Sequence, residues 1–383
     1  MQFFSSNFKL GILGGGQLGK MLLYDCRRYD IFTKIMDPNK NAPCSKIADE
    51  FIVGDLTDYN DVVNFCENVD VITVEIENVN VDALEFLENN GKKVFPSSKT
   101  LRTIQNKSKQ KDFYKKNNLP TSAYKNYINL DDIINDFNAG KIQLPAVWKS
   151  AEFGYDGKGV KIIKTIEDIK SLPNTHCLIE EKVEIKKEIS VIVSRNENKE
   201  EACFPVVEME FNPTSNLVEY IMCPADISSD LETQAYEIAL KTAQCFNSIG
   251  LLAVELFITK NNEILINEVA PRPHNSGHHT IECCLTSQFD QHIRSVLNLS
   301  LGDTGIKIPG IMVNLVGENE IEGDVFYKNI ETIFKIPGVS AHIYGKKKSR
   351  LNRKMGHITI VNKEIEKAIE IGKKIKELIK VTA

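Results

Sequence analysis

The chain has 383 residues, 42% of them hydrophobic and 26% charged. That is ordinary globular composition and excludes a disordered chain, a collagen or a coiled coil. Lys and Arg total 47 against 52 Asp and Glu, a formal charge of −5, which argues against a dedicated nucleic-acid binder. No apolar run reaches the roughly 18 residues that a membrane span requires. The first residues lack the basic start, apolar run and cleavage site of a secretory signal. Nine scattered cysteines, an odd number without a Cys-x-x-Cys pair, argue against a disulfide framework. The expectation is a cytoplasmic chain of two or three domains, at about 150 residues each.

Residues 8–100 alternate strand-like and helix-like runs. Residues 8–13 form a strand ending in Gly14-Gly15-Gly16, and residues 17–25 read as a helix. Further strands fall at 31–36, 69–74 and 93–95. Strands separated by helical stretches predict a parallel sheet with crossover helices. Gly14-x-Gly16-x-x-Gly19 opens the first helix, and Asp37 lies 18 residues after Gly19. This is the dinucleotide fingerprint in nearly correct context. Three readings fit it: NAD or FAD, another phosphate-bearing ligand, or plain tight packing. Pro38 turns the chain directly after Asp37, and nothing downstream resembles a hydride-transfer site.

A Lys-rich helix is expected over 101–117, broken by Pro120. Residues 121–185 read as a small α+β lobe of short strands around Gly154-Tyr155-Asp156-Gly157-Lys158-Gly159. Lys149 closes the apolar strand 144–148. A lysine there is costly unless it meets an anion, and successive N–H groups of the glycine turn form an anion-binding nest. Downstream, Glu180-Glu181-Lys182-Val183 leaves a strand and Glu188 opens the next. Acids and exposed backbone at such a crossing suit an adenine and ribose hydroxyls.

A helix is expected over 231–249, ended by Gly250. Residues 251–260 and 263–270 are strand-like, joined by Asn261-Asn262. Asn tolerates positive φ, so a two-residue hairpin turn is expected, and that register sets Glu255 directly across from Glu268. Opposed carboxylates repel and drive one to protonate. A divalent cation such as Mg²⁺, with Asn267 as a further oxygen donor, resolves the conflict; solvated edge strands are the alternative. Pro271 and Pro273 fix the loop that follows. His274, His278, His279, Cys283 and Cys284 raise a zinc site, but Arg272 beside the carboxylates favours an anionic substrate. Arg272, His274 and Asn275 then become donors around a small anion or developing oxyanion. A further helix is expected over 285–298, then short strands and a terminal helix over 364–380. Lys346, Lys347, Lys348, Arg350, Arg353 and Lys354 crowd nine residues. Lys346, Arg353 and Lys354 are preferred as a phosphate cluster, against a nucleic-acid patch or a solvated face.

The order of these motifs resembles the ATP-grasp superfamily. Gly14–Gly19, Glu75-Ile76-Glu77-Asn78-Val79, Tyr155–Gly159, the run from Asn267 to His278 and Arg353-Lys354-Met355-Gly356-His357 together resemble its N5-carboxyaminoimidazole ribonucleotide synthase family. The resemblance covers essentially the whole chain, and Pro-Arg-Pro-His-Asn-Ser-Gly-His is its most specific part. It implies α/β and α+β architecture: a Rossmann-like domain over 1–100, an ATP-grasp domain over 101–300 with a lid lobe at about 121–185, and a small, mostly β domain over 301–383. It implies ligation of bicarbonate to 5-aminoimidazole ribonucleotide, driven by ATP and Mg²⁺, two ions, in purine synthesis by a homodimer. It assigns ATP to Arg102, Lys149, Gly154, Tyr155, Asp156, Gly157, Lys158, Gly159, Val160, Glu180, Glu181, Lys182, Val183, Glu188, Phe211, Asn267 and Glu268. Metal falls to Glu255 and Glu268, bicarbonate or the carboxylated intermediate to Arg272, His274 and Asn275. The aminoimidazole ribonucleotide falls to Gln17, Glu77, Lys346, Arg353 and Lys354. Three positions depart from the family's usual residues: Val160 replaces Gln, Gln105-Asn106-Lys107 replaces Gln-Asp-Arg, and Phe211 replaces His. Another ATP-grasp ligase, a nicotinamide-dependent oxidoreductase and a silent nucleotide-binding regulator are the competing readings.

Overall fold

A computed structural model describes residues 3–152 and 159–383. The N-terminal region is a five-stranded parallel sheet in the order Glu50–Val53, Phe32–Asp37, Lys9–Leu13, Val71–Val74, Lys93–Phe95. Val71–Val74 is buried at every residue, as expected where helices cover both faces of a parallel sheet. The order reverses at the central strand Lys9–Leu13, so its carboxyl end opens a crevice at a topological switch point. The edge strand Glu50–Val53 was not foreseen. It is short and half-exposed, and its apolar run is only the three residues Phe51-Ile52-Val53.

The expected Lys-rich helix is two helices, Ser98–Ile104 and Lys107–Lys116. The break is chemical: the Asn106 side chain accepts a hydrogen bond from the Lys109 amide at 2.9 Å and starts the second helix. The lobe that follows is a four-stranded antiparallel sheet in the order Tyr124–Tyr127, Cys177–Glu181, Ala146–Ser150, Val160–Ile163.

One large sheet carries the rest. Its order runs Ile264–Ala270, Gly250–Thr259, Ile185–Arg195, Val207–Phe211, Val218–Cys223, Gly310–Val316, Lys354–Val361, Val339–Ile343, with Glu201–Cys203 paired to Ile185–Arg195. It continues past residue 300 through the antiparallel pairing of Val218–Cys223 with Gly310–Val316. The C-terminal strands therefore extend the same sheet, with helix Ile365–Leu378 packed on their core. Helix Ser229–Phe246 packs its Ala235, Ala239, Ala243 and Phe246 on the strands at the other end. The helix stops at Asn247, whose left-handed φ of +47° ends it ahead of Gly250. Gly250 instead opens the next strand. Among the described residues no helix is long and apolar enough to cross a membrane.

Candidate active site

The hairpin of Gly250–Thr259 and Ile264–Ala270 brings Glu255 opposite Glu268, by a route the sequence did not show. The loop has three residues, Lys260–Asn262: Thr259 N–H donates to Glu263 O at 2.9 Å, and Asn262 is left-handed at φ +63°. That register pairs Leu256 with Ile266 and, unbroken, would set Glu255 against Asn267. A bulge after Leu256 adds one residue to the second strand and returns Glu255 to Glu268. The extra residue, Asn267, accepts a hydrogen bond from Lys149 Nζ at 3.2 Å.

Glu188 stands on the neighbouring strand, two residues before Ser190, the cross-strand partner of Glu255. Three carboxylates thus share one sheet face. Burial pushes Glu255 up, and Glu268 and Glu188 add repulsion. The Lys107 ammonium, bonded to Glu268, pulls Glu268 well below the usual range. Burial lifts Glu188 to about 7 against the pull of Lys149. One member of the opposed pair holds its proton and the other stays ionised beside a cation. This donor set, hard carboxylate oxygens only partly offset by Lys107, fits a divalent ion such as Mg²⁺.

Lys149 lies 3.1 Å from Glu180 Oε1. Glu180, 3% exposed, also accepts the Ser122 hydroxyl at 2.9 Å and faces Lys111 at 3.3 Å. Burial alone would raise this carboxyl, but Lys149, Lys111 and Ser122 outweigh it and hold it low. The Glu180 side chain therefore anchors lysines. The chain beyond it, with exposed Glu181 and Lys182 and half-buried Val183, offers backbone at the lobe's edge. Gly159 O accepts from Ser150 N–H at 2.8 Å, and Val160 pairs with Lys149. Gly154, Tyr155, Asp156, Gly157 and Lys158 lie outside the described residues. Phe211 is half-buried against a cluster with Val207, Met209 and Ile221.

Arg102 is not brought to the carboxylates. Its guanidinium lies on the outside of its helix, 2.9 Å from Asp82 and 2.7 Å from Glu85. Lys107, one helix later, reaches the site instead, at the very position where the family's arginine is replaced.

In the loop after the hairpin, Arg272 Nε approaches Glu77 at 2.7 Å. His274 Nε2 lies 3.5 Å from Glu255, and its Nδ1 bonds Ser276 Oγ at 2.9 Å. Asn275 Nδ2 is buried with no hydrogen-bond partner among the described residues, a donor set for an acceptor. Gly277 is forced: an added Cβ would meet Ile192 Cδ1 at 2.4 Å. His278 and His279 are buried. His278 stacks on His357, and His357 on His342, at 4.7 and 4.4 Å. Burial drives His278 and His357 well below the ordinary imidazole range, and the stack clasps the loop to the C-terminal strands.

The first glycine loop receives carboxylates of the chain itself. Gly15 N–H donates to Asp37 at 2.8 Å, while Gly16 and Gly19 donate to Glu75 at 2.8 and 3.3 Å. A Cβ on Gly16 would stand 2.5 Å from Glu75 Oε1. The fingerprint that motivated a nicotinamide reading is an internal carboxylate socket. Helix Gln17–Arg28 leaves it with Gln17 half-buried, and Lys20 Nζ donates to Ile343 O at 2.9 Å. That contact brings the helix to the C-terminal strands beside the basic run. There Lys346 Nζ donates to Lys354 O at 2.8 Å, and the Lys354 charge is felt at Glu255. Arg353 donates to Lys348 O at 2.9 Å. Lys348 pairs with exposed Asp324 and belongs to the solvated face.

Three domain families match this architecture: the ribonucleotide synthetase preATP-grasp domain over residues 8–105, the ATP-grasp domain over 112–289, and the phosphoribosylaminoimidazole carboxylase C-terminal domain over 310–371. The fold and site thus define an ATP-dependent ligase of the ATP-grasp class. N5-carboxyaminoimidazole ribonucleotide synthase of Bacillus subtilis is 36% identical over 369 residues, covering 94% of this chain and 93% of that protein. The chloroplastic phosphoribosylaminoimidazole carboxylase of Vigna aconitifolia is 38% identical over 93% of this chain, which spans 64% of that longer relative. The crystal structure of N5-carboxyaminoimidazole ribonucleotide synthetase from Thermotoga maritima superposes with a TM-score of 0.90 at 40% identity, covering 98% of this chain and 99% of that one. The Aspergillus clavatus synthase, in complex with ADP and 5-aminoimidazole ribonucleotide, gives 0.87 at 30% identity over 97% of this chain and 98% of that one. The chain belongs to the N5-carboxyaminoimidazole ribonucleotide synthase family.

Two outcomes follow from the site's electrostatics. Glu268→Gln is expected to cut turnover by about two orders of magnitude or more with unchanged thermal unfolding; near-normal turnover in a folded variant would contradict the two-carboxylate metal site. Burial raises Glu255 and a metal needs it ionised, so divalent affinity is expected to climb with pH, by up to about tenfold per unit below that pKa. Titration calorimetry between pH 6 and 8 checks it, and a flat profile would contradict it. Gly16→Ala is expected to cost about 1–3 kcal/mol by denaturant unfolding, through crowding of Glu75.

Proposed function

We propose that this chain carboxylates 5-aminoimidazole ribonucleotide with bicarbonate, at the expense of ATP and with Mg²⁺, as a cytoplasmic homodimer. The observation that carries the reading is the opposed Glu255–Glu268 pair, with Lys149 on one side and the Arg272, His274, Asn275 loop on the other. Phosphoryl donor and anionic acceptor then meet over one pair of carboxylates.

Bicarbonate is a poor electrophile until one oxygen becomes a leaving group. An oxygen of bicarbonate attacks the γ-phosphorus of ATP, ADP leaves, and carboxyphosphate forms. The exocyclic amine of the ribonucleotide then attacks the carboxyl carbon, or the CO₂ released from it, and phosphate departs. Glu255 and Glu268 would hold Mg²⁺, which would offset charge on the transferring phosphoryl group. Lys149 adds a point charge at the phosphates and Asn267 holds its ammonium in place. The glycine-rich run from Gly154 to Val160 is assigned to the phosphates, and the chain from Glu180 to Val183 and Glu188 to the adenosine, with Phe211 nearby. Arg272, His274 and the open Asn275 donor hold bicarbonate and the carboxylated intermediate. Lys346, Arg353 and Lys354 hold the ribonucleotide phosphate; Gln17 and Glu77 face its ribose and base. The carboxylate-filled glycine loop repels phosphate, which supports placing the phosphate at the basic cluster.

ADP release with Mg-ATP and bicarbonate is expected to depend strongly on aminoimidazole ribonucleotide. Release indifferent to that compound would leave an ATP-grasp ligase with another substrate. Lys346→Ala is expected to raise KM for the ribonucleotide by about tenfold or more while KM for ATP moves less than about twofold; equal shifts would remove Lys346 from the phosphate.

A further inference from the structure

Helix Lys107–Lys116 sends two lysines, one turn apart, toward two different carboxylates. Lys107 meets Glu268. Lys111 meets Glu180 at 3.3 Å and donates to Thr121 Oγ1 at 2.6 Å and Ser122 Oγ at 3.1 Å. Lys111 is 3% exposed, its stem enclosed by its own helix and the chain after Pro120. Two ammonium groups, Lys111 and Lys149, converge on the same oxygen, Glu180 Oε1. Their roles differ. Lys149 has a second partner in Asn267 Oδ1 beside the metal carboxylates. The other partners of Lys111 are two neutral hydroxyls, those of Thr121 and Ser122.

A buried carboxylate with a single cation binds it tightly, because losing that cation leaves an unpaired buried charge. Were Lys149 the sole partner of Glu180, moving it toward a phosphate would strand Glu180. A second, immobile cation removes that penalty. We propose that Lys111 is a positioning residue for ATP: it holds Glu180 permanently compensated, so that Lys149 is free to serve the nucleotide phosphates. Lys111 itself touches no substrate. Ser122, hydrogen-bonded to Glu180 Oε2 at 2.9 Å, fixes the carboxylate between the two lysines. The proposal rests on the assignment of Lys149 to ATP.

Steady-state kinetics on the full chain test it. Lys111→Met is expected to raise KM for ATP by about tenfold or more, with KM for aminoimidazole ribonucleotide within about twofold. Lys111→Arg, which keeps a cation beside Glu180, is expected to hold KM for ATP within about threefold of the unaltered protein. A merely structural lysine would lower Tm without splitting the two KM values. An unchanged KM for ATP in Lys111→Met, equal shifts in both KM values, or a Lys111→Arg as impaired as Lys111→Met would each overturn the proposal. If Lys111→Met does not fold, Lys111→Gln, which keeps a donor for the two hydroxyls without the charge, decides in its place: a KM for ATP raised by about tenfold with KM for the ribonucleotide within about twofold supports the role, whereas an unchanged KM for ATP overturns it. Lys149→Met, measured alongside, distinguishes the two failures: an unaltered KM for ATP there removes the assignment on which the proposal stands.

Discussion

Two carboxylates held across one hairpin are the constraint around which the site is built. At a cross-strand separation of about 5 Å, two ionised carboxylates repel by roughly 3 kcal/mol at an effective dielectric of about 20. The chain answers with cations from elements far apart in sequence. Lys107 comes from the helix that leaves the N-terminal sheet, Lys149 from the lobe, and the charge of Lys354 from the C-terminal strands. His274 approaches Glu255 from the loop that continues the hairpin. The parts of the chain are tied to one another where the acids need them. The bulge at Asn267 serves both ends of this arrangement, restoring the opposition of the glutamates and aiming an amide oxygen at Lys149.

The same logic explains the glycine loop. Backbone amides at a strand-to-helix turn attract an anion, and here Glu75 and Asp37 provide it from the neighbouring strands. Glu77, two residues beyond Glu75, reaches Arg272. One short segment thus closes the would-be phosphate site and steadies the loop of Arg272, His274 and Asn275. The stack of His278, His357 and His342 continues this path into the C-terminal strands, next to Lys346 and Lys354. Lys20 on Ile343 closes the crevice from the other side.

Much of this was legible because it is carried by local signals. Apolar runs marked the parallel strands, and the spacing of Glu255 and Glu268 about an Asn-Asn turn marked the opposed pair. The opposition was reached with a two-residue turn and no bulge; the structure has a three-residue turn and one bulge. The two differences cancel, and only the backbone reveals them. Arg102 illustrates the limit of carrying roles by residue type: an arginine stood in the right region, yet its helix turns it toward Asp82 and Glu85. The useful signal was the departure itself, since Lys107 occupies the position of a missing arginine and remains a cation. Lys111 and the histidine stack were invisible, because their partners lie 69 and 79 residues away and no periodicity encodes such pairs. The edge strand Glu50–Val53, half-exposed and four residues long, offers only the short apolar run Phe51-Ile52-Val53.

The most direct measurement is the binding of Mn²⁺, as a paramagnetic substitute for Mg²⁺, to the unaltered protein and to Glu255→Gln and Glu268→Gln in the presence of a non-hydrolysable ATP analogue. With two carboxylates sharing the ion, each substitution is expected to weaken Mn²⁺ by about tenfold or more while the circular dichroism spectrum stays unchanged. If both folded variants bind Mn²⁺ as the unaltered protein does, the opposed glutamates are not the metal site, and the arrangement of lysines around them has another cause.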